Sequence, residues 1–197
     1  YLSKNMIVNY IDDATALVRP LNISKRIGGE GSVVFEVNGV KIRVTNILGT
    51  AFMQEEVASP YYSLKSLIDN NEGEDTIHIV DFHAEATGEK MSFAYCFDGL
   101  VSAIVGTHTH VQTNDAKILE NGTGFITDVG MCGAANGVLG FDKDTVIQKT
   151  IFGSNERFDL DKNDQEMVNA VVINIDDMTH KTKEIFAVSL LGEKVNG

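Results

Sequence analysis

Three times along the chain a short, densely apolar run ends in a polar loop. TIHIVDF (76–82) runs into His83, VSAIV (101–105) into Gly106-Thr107-His108-Thr109-His110, and GFITDV (124–129) into the glycine-rich GMCGAANGVLG (130–140). Apolar runs of this length suit strands covered on both faces, and loops at strand ends are where an open α/β sheet presents its functional groups. A helix-compatible segment from Glu89 to Phe97 separates the first two runs. His83 precedes His108 by 25 residues, close to the roughly 30 residues of a strand–helix–strand unit. The spacing therefore predicts neighbouring strands whose ends lie side by side.

The rest of the chain supplies further elements. SVVFEV and VKIRVTNI flank Asn38-Gly39, the dipeptide best suited to a type I′ hairpin turn. Ile7, Val8, Ile11, Ala14, Leu17 and Val18 recur at helical intervals and predict an amphipathic helix stopped at Arg19-Pro20. A short helix is expected over Tyr61–Ile68, a solvated turn at NNEGED (70–75) and a helix from Lys143 to Ile151. EMVNAVVINID, a turn at DDMTHKT and KEIFAVSLL read as an antiparallel strand pair. With 197 residues, 43% hydrophobic and 22% charged, and with no repeat or Pro-rich linker, the composition is that of one globular domain.

Charge and cysteine usage narrow the function. The formal net charge of −12 opposes a broad basic face for duplex nucleic acid, yet a bound cation could still draw a small phosphate ester. No apolar run approaches the ~20 residues of a membrane helix, and the opening residues lack a signal-peptide layout. Cys96 and Cys132 form no CxxC or knuckle, so neither a disulfide framework nor a zinc ribbon is indicated and a reducing, cytoplasmic compartment is expected.

The histidines carry the chemistry. In an extended backbone His108 and His110 would point to one side, and Gly106 would let the chain bend or another group approach. An isolated HxH reads first as a chance pair on a solvated loop, but His83 at a neighbouring strand end makes a metal site of three imidazoles a plausible reading. Either a mononuclear zinc site or half of a two-metal site would use them. Asp81, Glu85 and Asp128 are the nearby carboxylates, with Asp81 on the same strand face as His83 and Glu85 expected to open the following helix. His78 falls on the opposite face and is read as structural, and His180 as a surface residue. Asp128 either orients a ligand histidine or caps its loop, and the loop from Gly130 either lines a pocket or is a flexible turn.

Asp81-Phe82-His83-Ala84-Glu85-Ala86-Thr87, Gly106-Thr107-His108-Thr109-His110-Val111-Gln112-Thr113 and Thr127-Asp128-Val129-Gly130-Met131, in that order, closely resemble the YmdB-like branch of the calcineurin-type metallophosphoesterases, bacterial cyclic-nucleotide phosphodiesterases. IDDATALVRPLN and VVINIDD also match that family's pattern. The resemblance implies an α/β fold, a two-sheet sandwich flanked by helices. It further implies that His83 and His108 bind one metal and His110 a second, with two Fe, Mn or Zn ions as cofactors. Asp128 and Gly130 become substrate-binding or supporting residues. The implied reaction is hydrolysis of a small 2′,3′- or 3′,5′-cyclic phosphodiester by a metal-bridged hydroxide, in an enzyme that could form homo-oligomers. The family's Gly-Asp, Gly-Glu-Asn and Gly-Asn-His elements do not occur in these 197 residues. The expectation is therefore the C-terminal part of a longer domain, lacking its first strands, with the catalytic histidine upstream of Tyr1 and no activity by itself. A mononuclear zinc hydrolase and a non-catalytic scaffold that retains the fold are the alternatives.

Overall fold

A computed structural model describes residues 10–23, 28–53, 56–162 and 165–193. Its larger sheet begins with the hairpin β1 (Ser32–Val37) and β2 (Val40–Leu48). Asn38 and Gly39 take φ of 52° and 82°, the left-handed pair that a type I′ turn demands. Helix α1 (Pro60–Asn70) leads to β3 (Ile77–His83), and helix α2 (Thr87–Cys96) to β4 (Ala103–Thr107). Two short strands follow, β5 (Lys117–Ile118) and β6 (Gly124–Ile126). The order across this sheet is β1-β2-β3-β4-β6-β5, with β2, β3, β4 and β6 parallel to one another.

The second sheet is antiparallel, in the order β7 (Cys132–Ala134), β8 (Gln165–Ile175) and β9 (Thr182–Glu193), and helix α3 (Lys143–Thr150) lies between β7 and β8 in sequence. Among the described residues, Thr182 and Gln112 help tie it to the larger sheet and its loops. Thr182 Oγ1 donates to the Ser102 carbonyl at 2.7 Å, and Gln112 Nε2 reaches the carbonyls of Ala170 and Val188 at 3.0 and 3.1 Å.

The core lies between the larger sheet and helices α1 and α2. Alternation along β3 sends Val80 and Phe82 into it, fully buried, where they pack with Ile47, Leu64, Phe93 and Phe97. The rings of Phe82 and Phe93 stack with centroids 4.1 Å apart. Burial of a side chain such as Phe82 contributes about 2–3 kcal/mol. Asp81 and His83 face the other side of the strand and are half-buried.

One expected element stops short of its predicted end. The apolar positions Ile7 and Val8 lie outside the described residues, and within them only Tyr10 and Ile11 are helical, so no helix runs through Val18. The backbone there turns locally instead, with Asp13 N on Tyr10 O at 3.2 Å and Leu17 N on Ala14 O at 3.1 Å, and Val18 is drawn into a bridge with Glu30. Among the described residues no helix is long and apolar enough to cross a membrane.

Candidate metal centre

Parallel pairing brings three strand ends into line. Leu48 pairs with His83 and His83 with Thr107, so the loop after β4 starts beside the last residue of β3. That loop is held from below by Asp128, a fully buried carboxylate. Its Oδ2 accepts from the Thr109 amide and from Lys90 Nζ, both at 2.9 Å, and its Oδ1 from the Gly130 amide at 2.9 Å. Burial pushes this carboxyl up, but the Thr109 amide, Lys90 and the Gly130 amide outweigh it and hold its pKa below the ordinary value.

Such anchoring suits a strained loop. His108 and His110 adopt φ of 137° and 65°, conformations that cost a non-glycine residue on the order of 1–3 kcal/mol and that persist only where the surroundings impose them. The extended HTH geometry expected from sequence is therefore corrected, because β4 ends at Thr107. Gly106 serves for close approach: a Cβ there would lie 1.7 Å from the Thr127 carbonyl oxygen.

The structure brings His83 and His108 together, with His83 Nε2 and His108 Nδ1 3.1 Å apart. Each ring has a further partner on its outer nitrogen. His83 Nδ1 meets Thr107 Oγ1 at 2.9 Å, and His108 Nε2 meets Glu85 Oε2 at 2.5 Å. Burial first, then the neighbouring His108, lowers the His83 pKa and favours its neutral ring. His110 is exposed and is not grouped with the pair. Among the described residues no set of three or more His, Cys, Asp or Glu side chains is arranged to hold a metal ion. The pair itself fits one: two nitrogens each ~2.0–2.1 Å from a shared transition metal lie about 2.9–3.4 Å apart at right-angle to tetrahedral geometry.

Asp81, a candidate metal carboxylate from sequence, has both oxygens engaged. Asn46 Nδ2 donates to Oδ2 at 2.7 Å and Thr107 Oγ1 to Oδ1 at 2.8 Å. Glu85 lies ahead of helix α2 against His108, while Glu89 in the first helical turn accepts from the Thr50 amide at 2.8 Å. Asp128 and Gly130 hold backbone, with Gly130 at φ 80° closing the turn. His78 faces away, as its parity with His83 predicts, and meets Thr45 Oγ1 at 2.9 Å. Its pKa falls to about 4 because of burial and then the charge of Arg43. His180 is half-buried and contacts Asp75 at 3.1 Å. Sequence reasoning missed Thr107, Asn46 and Lys90. The signal for Asn46 is its register opposite Asp81 on β2. Nothing in the sequence marks Lys90, a fully buried lysine on a helix.

The chain is 40% identical over 182 residues to a 2′,3′-cyclic-nucleotide 2′-phosphodiesterase of Bacillus subtilis, covering 92% of this chain and 68% of the relative. It is 41% identical over 181 residues to a putative phosphatase/phosphodiesterase of Mycoplasma pneumoniae, covering 89% and 63%. The chain thus spans about two thirds of the length of these curated relatives. A crystal structure of a phosphatase from Mycoplasma pneumoniae superposes with a TM-score of 0.87 at 38% identity, covering 98% of this chain and 69% of that one. A hypothetical protein from Thermus thermophilus gives 0.86 at 30% identity, covering 95% and 72%. The family model described as YmdB-like protein matches residues 1–188. With that match across nearly its whole length and with phosphoesterases among its relatives, the chain belongs to the YmdB-like protein family.

Proposed function

We propose that this chain supplies part of the metal centre of a phosphodiesterase that hydrolyses small cyclic nucleotides, with a 2′,3′-cyclic phosphodiester favoured by the name of the Bacillus subtilis relative. The observation that carries the reading is the pair of ring nitrogens, His83 Nε2 and His108 Nδ1, 3.1 Å apart at adjacent strand ends. His83 and His108 would hold one transition-metal ion, and His110, on the exposed side of the same loop, would serve a second. Metal ions bound there would supply positive charge toward phosphate oxygens and make a water acidic enough to attack phosphorus near neutral pH.

The chain's own residues keep the ligands in place. Lys90 and Asp128 neutralise each other beneath the loop, and Asp128 fixes the Thr109 amide between the two loop histidines. Glu85 restrains the outer nitrogen of His108. With a net charge of −12, bound cations rather than basic side chains would attract the substrate phosphate.

The test uses the full-length protein with 2′,3′- and 3′,5′-cyclic AMP, alongside elemental analysis. His83→Ala and His108→Ala are expected to lose metal and at least ~100-fold in activity, with an unchanged circular dichroism spectrum. Normal turnover and normal metal content in both variants would overturn the reading, and one metal equivalent per chain instead of two would favour a mononuclear centre.

A further inference from the structure

We propose that Asp81 and Thr107 are positioning residues that lock His83 in the tautomer protonated at Nδ1, keeping its Nε2 as a lone pair directed at the metal position. The inference rests on the metal reading of the histidine pair and extends it to residues outside any ligand set.

Counting protons from Asp81 through Thr107 favours one tautomer. An ionised carboxylate only accepts. Asp81 Oδ2 already receives the amide proton of Asn46 Nδ2 at 2.7 Å, and Asp81 Oδ1 lies 2.8 Å from Thr107 Oγ1. The hydroxyl of Thr107 has one proton, and this contact uses it in a charge-assisted bond. Toward His83 Nδ1, 2.9 Å away on its other side, Thr107 Oγ1 can then only accept. The ring proton must sit on Nδ1, and a neutral imidazole protonated there has a bare Nε2.

The reverse tautomer is the worse arrangement. It would set the bare Nδ1 against the Thr107 oxygen lone pairs, or turn the Thr107 hydroxyl away from Asp81. It could donate from Nε2 to His108 Nδ1 at 3.1 Å, but that neutral bond is weaker than the charge-assisted Thr107–Asp81 bond at 2.8 Å that it would forfeit. Across the pair, Glu85 Oε2 stands 2.5 Å from His108 Nε2 and accepts the proton there, so a neutral His108 presents a bare Nδ1 3.1 Å from the bare His83 Nε2, two lone pairs that a shared cation would satisfy.

Strand register delivers the three parts. His83 pairs with Thr107 across β3 and β4, and Asp81 stands two residues earlier on the same face of β3, so both side chains bracket the threonine hydroxyl. Asn46, paired with Asp81 across β2 and β3, fixes the carboxylate from the far side.

The experiment is long-range proton–nitrogen NMR on the full-length protein, histidine-labelled with nitrogen-15 and freed of metal by chelation, at about pH 8 where a free imidazole is neutral. The expected spectrum shows His83 protonated at Nδ1 and bare at Nε2. Thr107→Val, which keeps the branched shape and removes the hydroxyl, should release the ring to a mixture or to the Nε2-protonated form, and Thr107→Ser should restore the wild-type pattern. Zinc titration should show affinity weakened by roughly 10- to 100-fold in Thr107→Val and recovered in Thr107→Ser. A wild-type His83 protonated at Nε2, or a tautomer unchanged in Thr107→Val, would overturn the inference. Wild-type protein that shows the expected tautomer but binds no zinc or manganese would uphold the positioning role and defeat the metal reading instead.

Discussion

His78 and His83 stand five residues apart on one strand, and the odd spacing sends them to opposite environments. His83 faces the strand-end cluster, whereas His78 is buried beside Thr45, its pKa lowered to about 4. An unfolded histidine titrates near 6.5, so the unfolded chain takes up the proton first. The stability this group provides is therefore complete above about pH 6.5 and is lost as pH falls toward 4. The loss amounts to about 3 kcal/mol. Urea midpoints measured between pH 7 and 4 should fall with this profile, and His78→Gln should flatten it; an equally steep fall in the variant would exclude His78 as the cause. Strand parity made this division legible in the sequence. Lys90 was not legible, since a lysine within a helix of mixed composition reads as solvated, and only the folded chain sets its ammonium against Asp128.

Among the elements, those whose local chemistry and hydrophobic period agree were read correctly. The Asn38-Gly39 hairpin, the three strands that end at the loops, helices α1 and α2 and the pair β8–β9 all form where the residues indicate. The segment before Arg19 leaves its helical period after Ile11, where the chain turns at Asp13 and Leu17, and Val18 bridges to the distant Glu30. Long-range backbone bonds of this kind override a weak helical preference. Gly106 makes the element-scale prediction. Sequence allowed it either to bend the chain or to admit a neighbour, and the Thr127 carbonyl oxygen, only 1.7 Å from where a Cβ would stand, decides for the neighbour. Gly106→Ala must push β4 away from the segment following β6, so a loss of about 3 kcal/mol or more in urea unfolding is expected; a change under about 0.5 kcal/mol would mean the strands separate freely.

For the whole molecule, Gln112 makes two of the polar contacts that join the two sheets among the described residues, and a third to its own side. Its Nε2 reaches the carbonyls of Val129, Ala170 and Val188 at 3.3, 3.0 and 3.1 Å, joining the loop after the histidines to both long strands of the smaller sheet. Gln112→Leu leaves these carbonyls without that donor and should cost on the order of 1–3 kcal/mol. Hydrogen exchange should also quicken at β8 and β9 while β3 stays protected; equal protection in both sheets would show that other contacts join them.

Sequence alone nominated the candidate residues and, for His78, Asp81 and His83, the strand faces on which they stand, because side-chain parity and turn preferences are local properties. Sequence also ordered His83, His108, His110, Asp128 and Gly130 along the loops. Tertiary structure decided which of them meet. It joined His83 to His108, drew Asp81 away into a hydrogen-bond network with Thr107 and Asn46, and set Asp128 on Lys90 and backbone amides. Those outcomes depend on the register of parallel strands distant in sequence and on a loop forced into left-handed conformations, neither of which any local pattern encodes.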